Sequence, residues 1–148
     1  MTQIDEKWSS YPETVLYFAG DPEVMVDLRV AVSPRARRGL ADMGLDGEFA
    51  ILTAFNPHAE VLGAAENNRR MKELEAELAG SGDRFVRVDA CSPDRSHCES
   101  SIALAGDFGH AIEIARNWEQ VAIFWFDGSC FWIYGAIESI EPIRLPLL

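Results

Sequence analysis

The segment from Phe49 to Leu78 constrains the fold more than any other part of the chain. Its first seven residues, Phe49 to Phe55, form an apolar run with one threonine, which predicts a central strand covered on both faces. Pro57 cannot donate a hydrogen bond to a sheet and keeps Asn56 out of the helical region. The strand must therefore end at this corner, and a helix is predicted to follow from Gly63 to Ala79.

One face of this predicted helix contains a local conflict. The face is apolar toward its C-terminal end, but Asn67 and Arg70 lie on it near the N-terminal end, beside the end of the strand. Burying such side chains is costly unless they are paired or face a cleft. Two readings follow. The polar side chains either tie the strand end to the helix, or they line a functional cleft.

The other segments provide strands and helices around this unit. Predicted strands are Thr14 to Phe18, Val24 to Val32, Phe85 to Val88, Ser101 to Ala105, Val121 to Phe126 and Cys130 to Ala136. Predicted helices are Pro34 to Met43 and Phe108 to Trp118; residues 1–12 form a partly helical leader, Asp89 to Glu99 a polar loop, and Ile140 to Leu148 an extended tail.

The order of elements predicts the fold class. From Phe49 onward the order is strand, helix, strand, strand, helix, strand, which is typical of a ferredoxin-like split βαβ core in an α+β protein. The N-terminal β-hairpin and an extra C-terminal strand would extend the sheet. A chain of 148 residues fits a single domain, with its core at about 13–136.

Charge and cysteine content indicate the environment and the partners. A net charge of -11 disfavours nucleic acid and anionic membranes as partners and suits a basic protein partner. The first residues lack a signal-peptide pattern, and no apolar stretch approaches the roughly 20 residues that span a bilayer. The odd cysteine count, Cys91, Cys98 and Cys130 without a CxxC motif, favours free thiols in a reducing, cytoplasmic compartment.

No standard cofactor or catalytic motif is found. The spacing of Cys91, His97 and Cys98 matches no zinc pattern, and neither a P-loop nor a nucleophile elbow is present. We therefore expect no metal and no cofactor, and assign no catalytic residue. His97 and Glu99 are two positions apart and would share a strand face, either as an acid/base pair or as a simple hydrogen bond.

Short motifs surround the corner between strand and helix. The strand ends in T-A-x-N-P, and the helix reads N-x-x-R-x-x-x-L-x-x-x-L, at Thr53, Ala54, Asn56, Pro57, Asn67, Arg70, Leu74 and Leu78. Glu99 and Gln120 stand before later strands. Over about residues 13–134 this pattern resembles an uncharacterised bacterial domain family of unknown function, from which Gly63 and Val121 depart. The resemblance implies the fold segment and brings no known activity.

We expect six polar side chains to converge at one end of the sheet: Asn56, Asn67, Arg70, His97, Glu99 and Gln120. Arg70 would bind an anion through its guanidinium fork, and the amides would supply neutral hydrogen bonds. The favoured function is a non-catalytic binding or regulatory module for a small anionic ligand or a protein segment. Alternatives are an acidic inhibitor or immunity-type protein for a basic partner, and an enzyme using His97 and Glu99 as acid/base with Arg70 as anion clamp.

Overall fold

A curled antiparallel sheet forms the frame of the protein in this computed structural model, which describes residues 8–148. Most of the predicted leader, residues 1–7, lies outside the described residues. The eight strands of the described part are β1 (Val15–Phe18), β2 (Val24–Asp27), β3 (Phe49–Leu52), β4 (Phe85–Cys91), β5 (Cys98–Ala105), β6 (Ala122–Phe126), β7 (Phe131–Gly135) and β8 (Ile143–Arg144). Their order is β2-β1-β4-β5-β3-β6-β7-β8, and the sheet curls into a half-barrel.

Helices and short turns connect these strands. The longer helices are α1 (Pro34–Asp42), α2 (Ala64–Gly80) and α3 (Phe108–Asn117); residues 8–10 are also helical, and 3₁₀ turns lie at Tyr11–Glu13 and Pro57–Ala59. The Ser33 hydroxyl accepts a hydrogen bond from the Ala36 amide at 3.1 Å, which caps α1 as its sequence predicts. A mixed helix and strand fold is confirmed, as is the N-terminal hairpin of β1 and β2. No helix in residues 8–148 is both long enough and apolar enough to cross a membrane.

Strand β3 separates two hydrophobic cores. All four of its residues are buried, and β5 and β6 pair with it on either side. Successive side chains of a strand point to opposite faces, so Phe49 and Ile51 enter one core while Ala50 and Leu52 enter the other. The predicted central strand is therefore confirmed, although it is shorter than the apolar run from which it was predicted.

Different helices cover the two cores. On one face α2 and α3 pack against the sheet, with Leu74 and Ala115 fully buried. On the other face Leu40 of α1 belongs to the core that contains Phe49, whose ring centre lies 5.0 Å from that of Phe126. Each fully buried side chain of this size contributes about 1.5–3 kcal/mol. The two cores hold the polar corner after β3 in place.

Two predicted element boundaries are wrong. Strand β2 ends at Asp27, not Val32. The Asp27 carboxylate accepts a hydrogen bond from the Arg29 amide at 3.0 Å, and the backbone carbonyl of Asp27 accepts one from the Val30 amide. These bonds turn the chain away from the sheet. The loop predicted from Asp89 to Glu99 is shorter than expected, because β4 continues to Cys91 and β5 begins at Cys98, which leaves only a turn at residues 92–97.

The prediction of free thiols is wrong for two of the three cysteines. Cys91 and Cys98 lie directly opposite each other in the β4–β5 register, with their Cα atoms 4.1 Å apart, and form a disulfide. Cys130 remains free. The absence of CxxC could not reveal this bond, because the hairpin brings together cysteines seven positions apart. The thiol argument for a reducing compartment fails with it, and the cytoplasmic location stays a prediction.

Loss of this disulfide is expected to destabilise the fold. The bond joins cysteines seven positions apart in the sequence. For a loop of this length the loop-entropy relation gives a stabilisation of roughly 2.5 kcal/mol at 25 °C. We expect the double variant Cys91→Ser/Cys98→Ser to lose about 2 kcal/mol of unfolding free energy in urea denaturation. Dithiothreitol should destabilise the wild type equally and leave the double variant unchanged, and Cys130→Ser serves as the control. Equal urea midpoints for wild type and double variant would contradict the prediction.

Candidate functional site

The corner after β3 has an unusual backbone. Asn56, His58 and Ala59 have positive φ angles of 47°, 54° and 62°. The left-handed region is tolerated by asparagine but is costly for the alanine. Strained residues of this kind persist only where the surrounding structure holds them, and they cluster at functional sites. The corner is therefore a candidate functional site on backbone grounds alone.

Two asparagines hold this corner against the first turn of α2. The Asn56 amide donates to Asn67 Oδ1 at 2.9 Å, and Asn67 Nδ2 donates back to Asn56 Oδ1 at 2.9 Å. The Leu62 amide adds a third bond, to Asn56 Oδ1, at 3.0 Å. Both asparagines are buried. The pair thus resolves by internal hydrogen bonding part of the conflict seen in the sequence.

Arg70 joins three segments of the chain. Its Nε donates to the Ala54 carbonyl at 2.7 Å, and its Nη2 donates to the Trp118 carbonyl at 2.9 Å. The guanidinium carbon also lies 5.3 Å from the centre of a Trp118 ring. Gln120 meets the same carbonyl, because its Nε2 donates to Trp118 O and Phe55 O at 3.0 Å each. The guanidinium fork is directed at backbone carbonyls.

Glu99 lies on the other side of the asparagine pair. Its Oε1 accepts a hydrogen bond from Asn56 Nδ2 at 3.1 Å, so the corner also fixes a carboxylate of β5. This carboxylate stands at the junction of two spaces. The inner cavity, of about 40 Å³, has as its polar lining Tyr11, Thr53, Asn56, Glu99, Ser101 and Gln120. The outer cleft, of about 390 Å³, includes Tyr11, Glu13, Val61, Ser92, His97 and Glu99 in its lining.

Tyr11 covers the junction between these two spaces. It lies in the 3₁₀ turn before β1 and lines both the inner cavity and the outer cleft. Its ring packs edge-on against Phe124 at 5.7 Å and against Trp8 at 5.3 Å. Burial, and secondarily the charge of Glu99, raise the pKa of its hydroxyl, which therefore stays protonated. Sequence reasoning missed Tyr11, since a tyrosine in a polar leader carries no signal.

His97 lies outside the strand face on which it was predicted. Strand β5 begins at Cys98, and His97 belongs to the turn before it, where its amide donates to the Ser92 hydroxyl at 3.1 Å. Asp94 stabilises this turn by accepting hydrogen bonds from Ser96 and Ser92, which lower the pKa of Asp94 to about 2. The shared-face argument for His97 and Glu99 is therefore wrong, although both line the outer cleft.

Five of the six predicted residues belong to two hydrogen-bonded groups at this corner. Asn67 contacts Asn56, Asn56 contacts Glu99, and Arg70 and Gln120 share the carbonyl of Trp118. Only Glu99 and His97 of the predicted six line the outer cleft; Arg70 lines neither space. Across residues 8–148, no three His, Cys, Asp or Glu side chains are grouped so as to hold a metal ion.

Comparison with known proteins places the corner inside a recognised sequence segment. A family model described as a protein of unknown function (DUF3293) matches residues 52–123, which confirms the resemblance to a family of unknown function over that segment. No curated protein and no solved structure matches the chain. The matched segment begins at the last residue of β3 and contains all six predicted residues, whereas Tyr11 lies outside it.

Proposed function

Since the family matched by residues 52–123 has no stated activity, we propose a function from the geometry of the cleft. The protein is a non-catalytic binding module, and its outer cleft takes a positively charged or hydrogen-bond-donating group. This group belongs to a small ligand or to a segment of a basic protein. The observation that carries the proposal is the Glu99 carboxylate, held by Asn56 where the outer cleft meets the inner cavity.

Charge favours a cation over an anion as the ligand. The ionisable lining of the outer cleft includes the carboxylates of Glu13 and Glu99, and no Lys or Arg of the described residues lines it. The whole chain has a net charge of -11, and such a field attracts cations toward an acidic cleft. A basic protein partner, as in the inhibitor or immunity-type alternative, would place such a positively charged group in the same cleft.

The other functions predicted from the sequence depend on Arg70. A small anionic ligand and an enzymatic anion clamp both require its guanidinium to face a pocket beside His97 or Glu99. Arg70 instead donates to the carbonyls of Ala54 and Trp118 and lines neither the outer cleft nor the inner cavity. No geometric observation therefore favours these functions over the binding of a cation.

We also infer a ferredoxin-like split βαβ core within the half-barrel. Support comes from the strand order β4-β5-β3-β6, in which β5 lies antiparallel between β3 and β4, the strands that α2 connects. Strand β6 follows α3 and pairs antiparallel with β3. The strands β1, β2, β7 and β8 extend this core on both sides and give the sheet its curl.

A comparison of cationic with anionic probes tests the proposed function. Amide resonances of the cleft are followed by two-dimensional NMR during titration with butylammonium, N-acetyl-arginine methylamide, citrate and phosphate. The cations are expected to shift resonances of the cleft in the wild type and to bind at least tenfold more weakly to Glu99→Gln. This isosteric change removes the charge and keeps an oxygen for Asn56.

The matched control is Glu113→Gln on the exposed side of α3, which changes the net charge equally and should leave cation binding unaltered. The proposal is overturned if citrate or phosphate binds at the cleft in place of the cations. It is equally overturned if cations bind Glu99→Gln as tightly as the wild type, or if no probe moves the cleft resonances.

A further inference from the structure

We infer that the inner cavity is a binding site for a primary ammonium group, such as the head of an alkylamine or of a lysine side chain. The inference rests on the proposed function, because it names the chemical class of ligand for the same site. Its basis is the hydrogen bonding of the lining: most donors of the cavity are already used within the protein, and several acceptors remain.

Gln120 offers an acceptor to the cavity. Both hydrogens of its amide nitrogen are used, by the carbonyls of Phe55 and Trp118 at 3.0 Å each. The remaining polar atom is the carbonyl oxygen, to which no hydrogen bond is donated by any described residue. Gln120 as a residue is only 6% exposed, but this oxygen keeps some accessible surface, because none of the fully buried side-chain oxygens or nitrogens in residues 8–148 lacks a hydrogen-bond partner. An oxygen with accessible surface and no protein donor is open to a hydrogen bond from a ligand in the cavity.

Two hydroxyl groups of the lining are likewise left as acceptors. Thr53 donates its single hydroxyl hydrogen to the Ser100 carbonyl at 2.6 Å, and Ser101 donates its own to the Glu99 carbonyl at 3.2 Å. A hydroxyl has one donor and two acceptor positions. Thr53 already accepts a hydrogen bond from the Phe55 amide at 3.1 Å, so it has one acceptor position left, and both hydroxyls can now only accept from a ligand. The cavity wall is therefore rich in acceptors at three neutral oxygens.

Glu99 adds the negative charge that a cation requires. Its carboxylate is oriented by the bond from Asn56 at 3.1 Å, and a carboxylate accepts several hydrogen bonds at once. A primary ammonium is a compact positive charge with three N–H donors and no acceptor. It complements this wall, whereas an anion would place its own acceptors against those of the protein.

The size of the cavity selects among cations. A volume of about 40 Å³ holds about three water-sized groups, which suits an ammonium and its first methylenes. A planar guanidinium brings four heavy atoms and five donors, more than this space and its acceptors accommodate. The apolar remainder of the ligand would lie against Ala59, Ala90 and Phe124, which line both the inner cavity and the outer cleft.

The test uses the full chain and three probes that differ in the head group. n-Butylammonium carries three N–H donors, n-butyltrimethylammonium carries the same charge without donors, and N-acetyl-arginine methylamide carries a guanidinium. Affinities are measured by NMR titration, with the side-chain amide signals of Gln120 as the local reporter. Ser101→Ala removes one acceptor of the cavity, and Ser100→Ala, on the adjacent position of β5, is its matched control.

The expected result is binding of n-butylammonium with shifts at the Gln120 side chain, weakened at least fivefold by Ser101→Ala and unaffected by Ser100→Ala. The trimethyl analogue should bind at least tenfold more weakly. If the trimethyl or guanidinium probe binds as well as butylammonium and still depends on Glu99, the ammonium site is refuted while the proposed function stands. If butylammonium binding ignores Ser101→Ala, the ammonium site is refuted as well. If none of the cations binds, both are refuted.

Discussion

Replacing Asn67 with alanine is expected to lower the free energy of unfolding by about 3 kcal/mol, as measured by urea denaturation. The change leaves the buried amide of Asn56 without its acceptor and removes one of the donors to Asn56 Oδ1. Each buried group that loses its partner costs about 1–3 kcal/mol. The left-handed conformation of Asn56 also loses one of the contacts that hold it.

Asn68 provides the matched control for this variant. It is the next residue on α2, it is exposed, and its side chain makes no hydrogen bond with the described residues. Asn68→Ala should therefore change stability by no more than about 0.5 kcal/mol. Equal losses for the two variants would show that the asparagine pair does not hold the corner.

Replacing Arg70 with methionine is expected to cost about 3 kcal/mol in the same assay. Methionine keeps much of the apolar stem but leaves the carbonyls of Ala54 and Trp118 without the charged donors that now bind them. Hydrogen bonds to charged groups contribute about 1.5–3 kcal/mol each. Arg70→Lys should recover only part of the loss, because an ammonium lacks the planar fork that reaches both carbonyls.

Arg69 is the control for Arg70. Its guanidinium forms ion pairs with Glu66 and Glu73 on the exposed side of α2. Exposed pairs of this kind contribute little to stability because water and salt screen them, so Arg69→Met should be nearly neutral. A larger loss for Arg69→Met than for Arg70→Met would contradict the assignment of Arg70 as the residue that joins β3, α2 and the end of α3.

Elements with strong local signals were predictable from the sequence. The apolar run at β3, the Ser33-Pro34 start of α1 and the Asp127-Gly128 turn between β6 and β7 all depend on neighbouring residues. Their physical causes, which are proline geometry, capping and strand burial, act within a few residues. The structure therefore reproduces them with small shifts of boundary.

Features that depend on distant residues were not predictable. The disulfide of Cys91 and Cys98 requires the register of β4 against β5, which apolar periodicity in a single strand does not determine. The end of β2 at Asp27 is a local exception: the Asp27 side chain competes with the sheet for the Arg29 amide two residues on, and the alternating apolar pattern does not reveal this contact. Tyr11 joins the site because its ring packs against Phe124 and the core that contains Phe49.

At the candidate site, the residues were easier to predict than their roles. Asn67 and Arg70 stood out because polar side chains on a packing face require partners, and the structure supplies them. Which partners they find depends on where the carbonyls of Ala54 and Trp118 end in space, and the sequence does not contain that geometry. Arg70 was therefore predicted to bind a ligand, whereas in the structure it donates to two backbone carbonyls.

The position of Tyr11 has a consequence for how the cavity can be altered by substitution. The acceptors of the inner cavity, from Thr53 to Gln120, all lie within the 52–123 segment, while the ring above them comes from outside it. The wall of the cavity is therefore contributed by two separate stretches of the chain. Changes in the leader can alter which ligands enter without disturbing the oxygens that would bind them.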